Sequence, residues 1–289
     1  MTRLINRASV LLAALLALWV ARPGRADSGV DDIAAAIAAP DRPREQVARD
    51  VERRPEAVLT FAGVRPGDRV ADFMSGGGYF TRLFSHIVGS NGHVYAFLPD
   101  EQLEHCSPDE VAGTRALEHG GADASHGGAY ANVSVLTGPV SRFHPPEPVD
   151  VVWTSLNFHD LYDSFMGPAD VPQVTRAMFE ALKPGGELLV IDHAAEAGSG
   201  VRDTETLHRI DPDVIIRAVE AAGFRLEARS DVLRNPRDTH RLRVFDPAIR
   251  GRTDQVILKF RKPPAGALTA APAPAAPASS DRREGFLCL

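Results

Sequence analysis

Several polar residues of this chain stand where an apolar run gives way to a loop, and their types suit proton transfer and the binding of a polar small molecule. Asn157-Phe158-His159-Asp160 follows the run Val149–Ser155. An imidazole beside a carboxylate is a general-base arrangement, so His159 is the expected base, oriented by Asp160 or another carboxylate. Asp192-His193 closes the run Glu187–Asp192 and offers a second imidazole, His193, for the same chemistry. Asn157, His208 and Arg209 are the side chains expected to bind a substrate, the latter two suiting an anionic one. Each has a structural reading beside the chemical one. His159 can be a loop histidine bonded to backbone, and Asp192 can be satisfied by a neighbouring helix N-terminus. Asp211, followed by Pro212, reads as a helix N-cap with proline at the first helical position and is expected to be structural.

The second chemical feature is Val70-Ala71-Asp72-Phe73-Met74-Ser75-Gly76-Gly77-Gly78-Tyr79-Phe80-Thr81. An apolar run ends in an acid and breaks into glycines before a helical pattern. Glycines let a ligand approach without meeting a Cβ, and the first turn of the following helix presents unpaired N–H groups. In open α/β sheets, ligands lie outside the carboxyl ends of the strands at such a turn. Asp72, Ser75, Gly76, Gly77 and Gly78 are therefore the expected cofactor contacts, with Asp72 as a simple cap of the turn as the structural alternative. Tyr79 is expected near the cofactor, and Phe80 in the core.

Ten histidines invite a metal reading. His105, Cys106, His119 and His126 are the nearest group, but no pair has the tight spacing of a zinc motif, and no metal is expected. The two cysteines, Cys106 and Cys288, give no disulfide framework.

These residues need a frame. Residues 27–54, rich in alanine and charge, read as one or two surface helices. Pro55 to Ala62 continues as a helix with Val58, Leu59 and Ala62 on one face. Strands are expected at Arg69–Phe73, His93–Leu98, Val133–Leu136, Val149–Ser155, Glu187–Asp192, Phe224–Val232 and Gln255–Arg261. Between them, Phe80, Leu83, Phe84, Ile87 and Val88 form a helical stripe, and Ala169–Leu182 and Pro212–Ala222 read as helices. A further helix is expected from Pro108 to Glu118, followed by a flexible insertion through the glycines near 120 and 127. Short apolar strands alternating with helices argue an α/β fold with a largely parallel sheet covered on both faces.

The two ends differ from this core. Arg3 and Arg7 precede the apolar run Ala8 to Ala21, and Gly24-Arg25-Ala26 supplies small residues at the minus-three and minus-one positions. Residues 1–26 read as a cleavable export signal, with an apolar run shorter than the about 20 residues of a membrane span. No stable membrane span is expected after cleavage. Loss of those residues, which hold four arginines and no acid, takes the formal charge from −6 to −10. Such an acidic chain is a poor partner for nucleic acid. Residues 263–289, mainly alanine and proline, are expected to be disordered.

Arg65-Pro66-Gly67-Asp68-Arg69-Val70-Ala71-Asp72 with its glycine turn, Val149-Asp150-Val151-Val152, and Leu182-Lys183-Pro184-Gly185-Gly186-Glu187-Leu188-Leu189-Val190-Ile191-Asp192 together resemble the class I, Rossmann-like S-adenosylmethionine-dependent methyltransferases. Ala222-Gly223-Phe224 adds to the likeness, which covers about residues 50–262. The export segment, Asn157-Phe158-His159-Asp160 and Asp203 to Asp211 are similar to the bacterial predicted periplasmic methyltransferases. The resemblance implies a three-layer sandwich with a seven-stranded, mostly parallel sheet whose last strand is antiparallel. It implies S-adenosyl-L-methionine as cofactor over the first glycine turn, and methyl transfer to a small-molecule acceptor in the periplasm.

This chain departs from the pattern at three places. Met74 stands where the family's loop usually has glycine, so the turn is expected to differ there. Leu98 stands where an acid normally meets the ribose, a task left to Asp100 or Glu101. Gly138-Pro139 replaces the acid commonly found after the third strand. The alternative implied is an exported, non-catalytic small-ligand-binding protein on the same fold. A nicotinamide-dependent oxidoreductase fits less well, because Thr81 replaces the last glycine of the dinucleotide pattern.

Overall fold

The computed structural model describes residues 26–105, 107–119, 130–167 and 169–264. The export segment up to residue 25, the glycine-rich insertion at 120–129, Cys106, Cys288, His126 and the tail from residue 265 lie outside the described residues. The elements in chain order are α1 (Ala26–Ile37), α2 (Arg44–Val47), α3 (Asp50–Arg53), α4 (Pro55–Ala62), β1 (Arg69–Phe73), α5 (Tyr79–Val88), β2 (His93–Pro99), α6 (Asp100–Leu103), α7 (Pro108–Arg115) and β3 (Val133–Gly138). They continue with β4 (Val149–Ser155), α8 (Val171–Ala181), β5 (Leu182–His193), α9 (Thr204–Leu207), α10 (Pro212–Ala221), β6 (Arg225–Ser230) and β7 (Gln255–Arg261).

The strands form one seven-stranded sheet in the order β3-β2-β1-β4-β5-β7-β6. β1 to β5 run parallel, whereas β7 lies antiparallel between β5 and β6, with Leu189 opposite Lys259. Side chains alternate across a strand, and both faces here meet helices. Ala71, Phe73 and Val152 enter a core with Phe143, Met178 and Val219, while Val70, Val151 and Trp153 enter a second with Leu59, Leu83 and Phe84. This is the three-layer sandwich the sequence implies. The order reverses between β1 and β4, and this switch point places the ends of β1 and β4 at the crevice where such sheets bind ligands.

Local chemistry explains the joints. Val58, Leu59 and Ala62 of α4 are buried on one face, and Gly63 at φ 75° ends the helix. In α5, Phe80 and Phe84 pack on Trp153 with ring centroids 4.6 and 5.1 Å away. The Lys183-Pro184-Gly185-Gly186 turn is fixed by Gly185 at φ 80° and by Lys183 Nζ on both oxygens of Asp150 at 2.7 and 2.8 Å. A Cβ on Gly186 would lie 2.9 Å from the Lys183 carbonyl oxygen.

Two expectations change. The fifth strand begins at Leu182, ahead of Glu187, because Leu182 already pairs with Val149 before the register shifts. Residues 27–54 form three helices, and they are not merely a surface feature. Ile33 and Ala36 are buried with α4 and α5, so alanine-rich packing, invisible to a charge count, seats the segment on the domain. No helix among the described residues is long and apolar enough to cross a membrane.

Candidate functional site

Asp72 is the penultimate residue of β1, and its side chain reaches the start of α5. It is 4% exposed and accepts a hydrogen bond from Thr81 Oγ1 at 2.6 Å. Burial pushes its carboxyl group up to about 7, against the opposing effects of Thr81 and the Arg53 guanidinium. Met74 follows at φ 58°, so a non-glycine residue takes the left-handed conformation that a glycine would supply. The expectation that the turn must differ at Met74 is corrected: the backbone keeps a glycine-like conformation, and the Met74 side chain is buried in the core. The left-handed region costs an L-residue about 1–2 kcal/mol, a strain that burial of the thioether offsets.

Ser75 N–H donates to Phe97 O at 3.1 Å, while Ser75 Oγ is buried with no hydrogen-bond partner among the described residues. Gly76 and Gly78 have φ of 54° and 73°. A Cβ on Gly76 would meet nothing within 4 Å, but one on Gly78 would come within 2.9 Å of Arg82 Nη1 and Leu117 Cδ1. The turn's carbonyls are tied from outside. Arg82 Nη1 donates to Gly77 O and Gly78 O at 2.8 and 3.0 Å, Gln46 Nε2 donates to Gly77 O at 2.8 Å, and Thr114 Oγ1 donates to Gly76 O. Tyr79 donates to Asp50 at 2.6 Å, and Asp50 also pairs with Arg42. Tyr79 thus anchors the N-terminal helices, and Phe80 packs in the core as expected.

At the end of β2, Leu98 is buried. Glu101 accepts from the Val140 amide at 3.0 and 3.2 Å and is spent in holding the end of β3. Asp100, exposed at the start of α6, is the acid without a hydrogen bond or ion pair among the described residues.

The polar residues after β4 and β5 converge. Asp192, fully buried, accepts from the His159 amide at 2.8 Å, from His159 Nδ1 at 2.7 Å and from the His193 amide at 2.7 Å. Asp160 lies 3.1 Å from His159 Nε2. Burial opposes charge on both partners, yet the Asp192 and Asp160 carboxylates hold His159 well above the usual imidazole range. Burial also works against the Asp192 carboxylate, but the His159 cation keeps it below its ordinary value. Of the carboxylates expected to orient His159, Asp192 holds Nδ1 and Asp160 stands at Nε2, so both ring nitrogens face carboxylates and neither is free to accept a proton from an acceptor.

His193 is held differently. Its Nδ1 lies 2.8 Å from Thr253 Oγ1, and burial pulls its pKa down to about 3, so the ring is neutral. His208, at φ 54°, packs against the Phe245 ring at a tilt, with centroids 5.0 Å apart, and its Nε2 accepts from Arg243 Nη2 at 3.2 Å. Burial, and then the His159 cation, lowers its pKa. Its Nδ1 stands 4.0 Å from carboxylate oxygens of both Asp160 and Asp163. Burial raises the Asp163 carboxyl to about 6.

Two expected substrate contacts are occupied by the fold. Arg209 is fully buried, donating to Ala194 O at 3.1 Å and Leu242 O at 3.0 Å and pairing with Asp238 at 2.8 Å. It is corrected from a substrate contact to a structural cation, because a buried guanidinium must be paired. Asn157 Nδ2 donates to Met74 O at 2.8 Å and braces the turn. Asp211 caps α10 by accepting from Asp213 N at 3.0 Å, as expected.

Sequence reasoning missed Asp163 and Thr253. Asp163 lies four residues from His159, a signal that the search for pairs among His and Cys alone passed over. Ligand atoms of His159, Asp160, Asp163 and His208 all lie within 4.8 Å of one another.

No protein-family model matches the chain. The ubiquinone/menaquinone biosynthesis C-methyltransferase UbiE of Vibrio parahaemolyticus is 29% identical over 175 residues, covering 60% of each chain. The Shewanella woodyi protein of the same name is 31% identical over 135 residues, or 46% of each. The chain thus spans about 60% of the length of the first of these relatives. Among solved structures, a SAM-dependent methyltransferase from Aquifex aeolicus superposes with a TM-score of 0.51 at 20% identity, covering 79% of this chain and 97% of that one. By its sheet order, its antiparallel β7 and this superposition, the chain has the Rossmann-like fold seen in class I S-adenosylmethionine-dependent methyltransferases.

Proposed function

We propose that the protein transfers a methyl group from S-adenosyl-L-methionine to a small-molecule acceptor. The observation that carries this reading is the turn after β1, where a buried acid, an unpartnered Ser75 hydroxyl and an open left-handed Gly76 meet at the sheet's switch point. The similarity to named methyltransferases supports it. These residues fit the cofactor. Asp72 would meet its ammonium group, Ser75 and the amides of Gly76, Gly77 and Gly78 its carboxylate end, and Asp100 its ribose hydroxyls.

The bound cofactor supplies a methyl group on a sulfonium, open to in-line attack. The protein's part is then mainly to hold an acceptor in line and to exclude water. His193 is neutral and has one nitrogen beyond its Thr253 contact, so it is the imidazole suited to hydrogen-bond an acceptor. His159 and Asp160 shape the polar wall beside it, while Asn157 fixes that wall to the cofactor turn.

The test incubates the full chain with methyl-labelled S-adenosylmethionine and a panel of small phenols, amines, thiols and quinols. Labelled product from one of them, reduced in His193→Ala, is the expected result. Cofactor binding without any labelled product would favour the non-catalytic binding protein. The Arg3 and Arg7 head, the apolar run and Gly24-Arg25-Ala26 support export to the periplasm. N-terminal sequencing of protein recovered from cells is expected to begin at Asp27, and a start within the first few residues would contradict export by cleavage.

A further inference from the structure

His159, Asp160, Asp163 and His208 come from two loops that the fold brings together. The first three follow β4, and His208 follows α9 after a separate excursion from β5. Their ligand atoms lie within 4.8 Å of one another, with His159 Nε2 and Asp160 Oδ1 3.1 Å apart and His208 Nδ1 4.0 Å from each of the two aspartates. In a tetrahedral zinc site with bonds of about 2.0 Å, ligand atoms stand about 3.3 Å apart. A contraction of up to about 1.5 Å in the longest of these separations closes the set around one ion.

Two further observations point to a ligand and not to a chance meeting of charges. The Asp163 side chain is 1% exposed, and its Oδ1 has no hydrogen-bond partner among the described residues. A buried carboxylate oxygen left unmatched is costly, and an ion bound by this carboxylate would offset that cost. The second observation is the support behind His159. Its Nδ1 is engaged at 2.7 Å by the fully buried Asp192, which also accepts the His159 amide. A carboxylate on one imidazole nitrogen, with the other nitrogen aimed into a cluster, is the arrangement that orients metal-bound histidines.

We propose that His159 Nε2, Asp160, Asp163 and His208 Nδ1 form a binding site for one divalent first-row transition ion of the zinc type. The two imidazoles suit such an ion better than magnesium or calcium, and the two carboxylates balance its charge. Four protein ligands make a closed site, which would clamp the loop after β4 to the loop after α9. Binding releases the His159 Nε2 proton to solvent, and His208 changes tautomer, giving up its Nδ1 proton and taking one up at Nε2. His208 then carries its proton on Nε2, so the Arg243 side chain, at the surface, moves off that nitrogen. The inference stands apart from methyl transfer, since it is read by metal binding alone.

The experiment strips the full chain with a chelator, removes the chelator and titrates with zinc chloride by calorimetry, then with cobalt chloride by visible absorption. The expected result is one high-affinity equivalent per chain and the intense d–d absorption of four-coordinate cobalt. His208→Ala, a change at a half-buried ring, is expected to abolish that absorption while circular dichroism stays native. Asp163→Asn is expected to do the same, and Asp192→Asn to weaken binding about 10- to 100-fold. Absence of a stoichiometric site in the folded wild-type chain would overturn the proposal. So would a site that persists unchanged in His208→Ala, which would place the ion on other histidines.

Discussion

Asn157 donates its side-chain amide to the carbonyl of Met74 at 2.8 Å, and this bond joins the loop after β4 to the turn after β1. The two loops carry different duties in the proposed reaction, one facing the acceptor and the other the cofactor. Met74 itself sits at φ 58°, where a side chain is strained. The turn holds a glycine-like backbone without glycine by burying the Met74 side chain.

Replacing Met74 separates the two contributions. Met74→Ala and Met74→Gly lose the same buried contacts to a first approximation, but only glycine is free of the left-handed penalty. The glycine variant is therefore expected to be more stable than the alanine variant by about 1 kcal/mol, the reverse of the usual order within ordered structure. Chemical denaturation of the two variants measures the difference. Alanine equal to or better than glycine would show that Met74 is not held at positive φ.

Asp72 gives a pH signature. Its ordinary value is 3.8 and burial raises it to about 7 in the folded chain. Because the folded pKa lies above the unfolded one, the native state favours the protonated form. The contribution of this group to stability is complete below about pH 4 and is lost as the pH rises through about 7. Over that interval the wild-type chain is expected to lose on the order of 4 kcal/mol relative to Asp72→Asn. Denaturant midpoints of both proteins between pH 4 and 8 test this, and parallel curves would mean that Asp72 ionises normally in the folded state.

Arg209 separates a structural role from a binding one. The Asp238 carboxylate that it pairs with also accepts the His240 and Asp254 amides, so the cation belongs to a buried network. Arg209→Ala is expected to cost about 3–5 kcal/mol, because it leaves a buried carboxylate short of its partner. A thermal melt reads the loss directly. A variant of native stability with weakened acceptor binding would restore Arg209 to the substrate contacts.

The fold was largely legible because parallel strands buried on both faces read as apolar runs, and Val149–Ser155 and Gln255–Arg261 match their strands residue for residue. Asp72, Ser75, Gly76 and Gly78 were legible for a related reason: the strand, turn and helix that form their environment are contiguous in sequence. The cluster around His159 was not. Its geometry depends on Asp192, 33 positions on, and on His208 from a loop that sequence spacing cannot bring near. Arg209 was misread because its partner, Asp238, lies beyond α10 and β6, and nothing local marks the guanidinium as buried. Local pattern thus revealed groups whose surroundings are local, and tertiary pairing decided the rest.

The central claim is that the turn after β1 holds S-adenosylmethionine through Asp72. Isothermal titration of the full chain with S-adenosylmethionine and S-adenosylhomocysteine, beside Asp72→Asn shown to be folded, tests it most directly. The account predicts micromolar binding by the wild-type chain, weakened about 10- to 100-fold by loss of the charge-assisted hydrogen bond. No binding by the folded wild-type chain, or equal binding by Asp72→Asn, would contradict it.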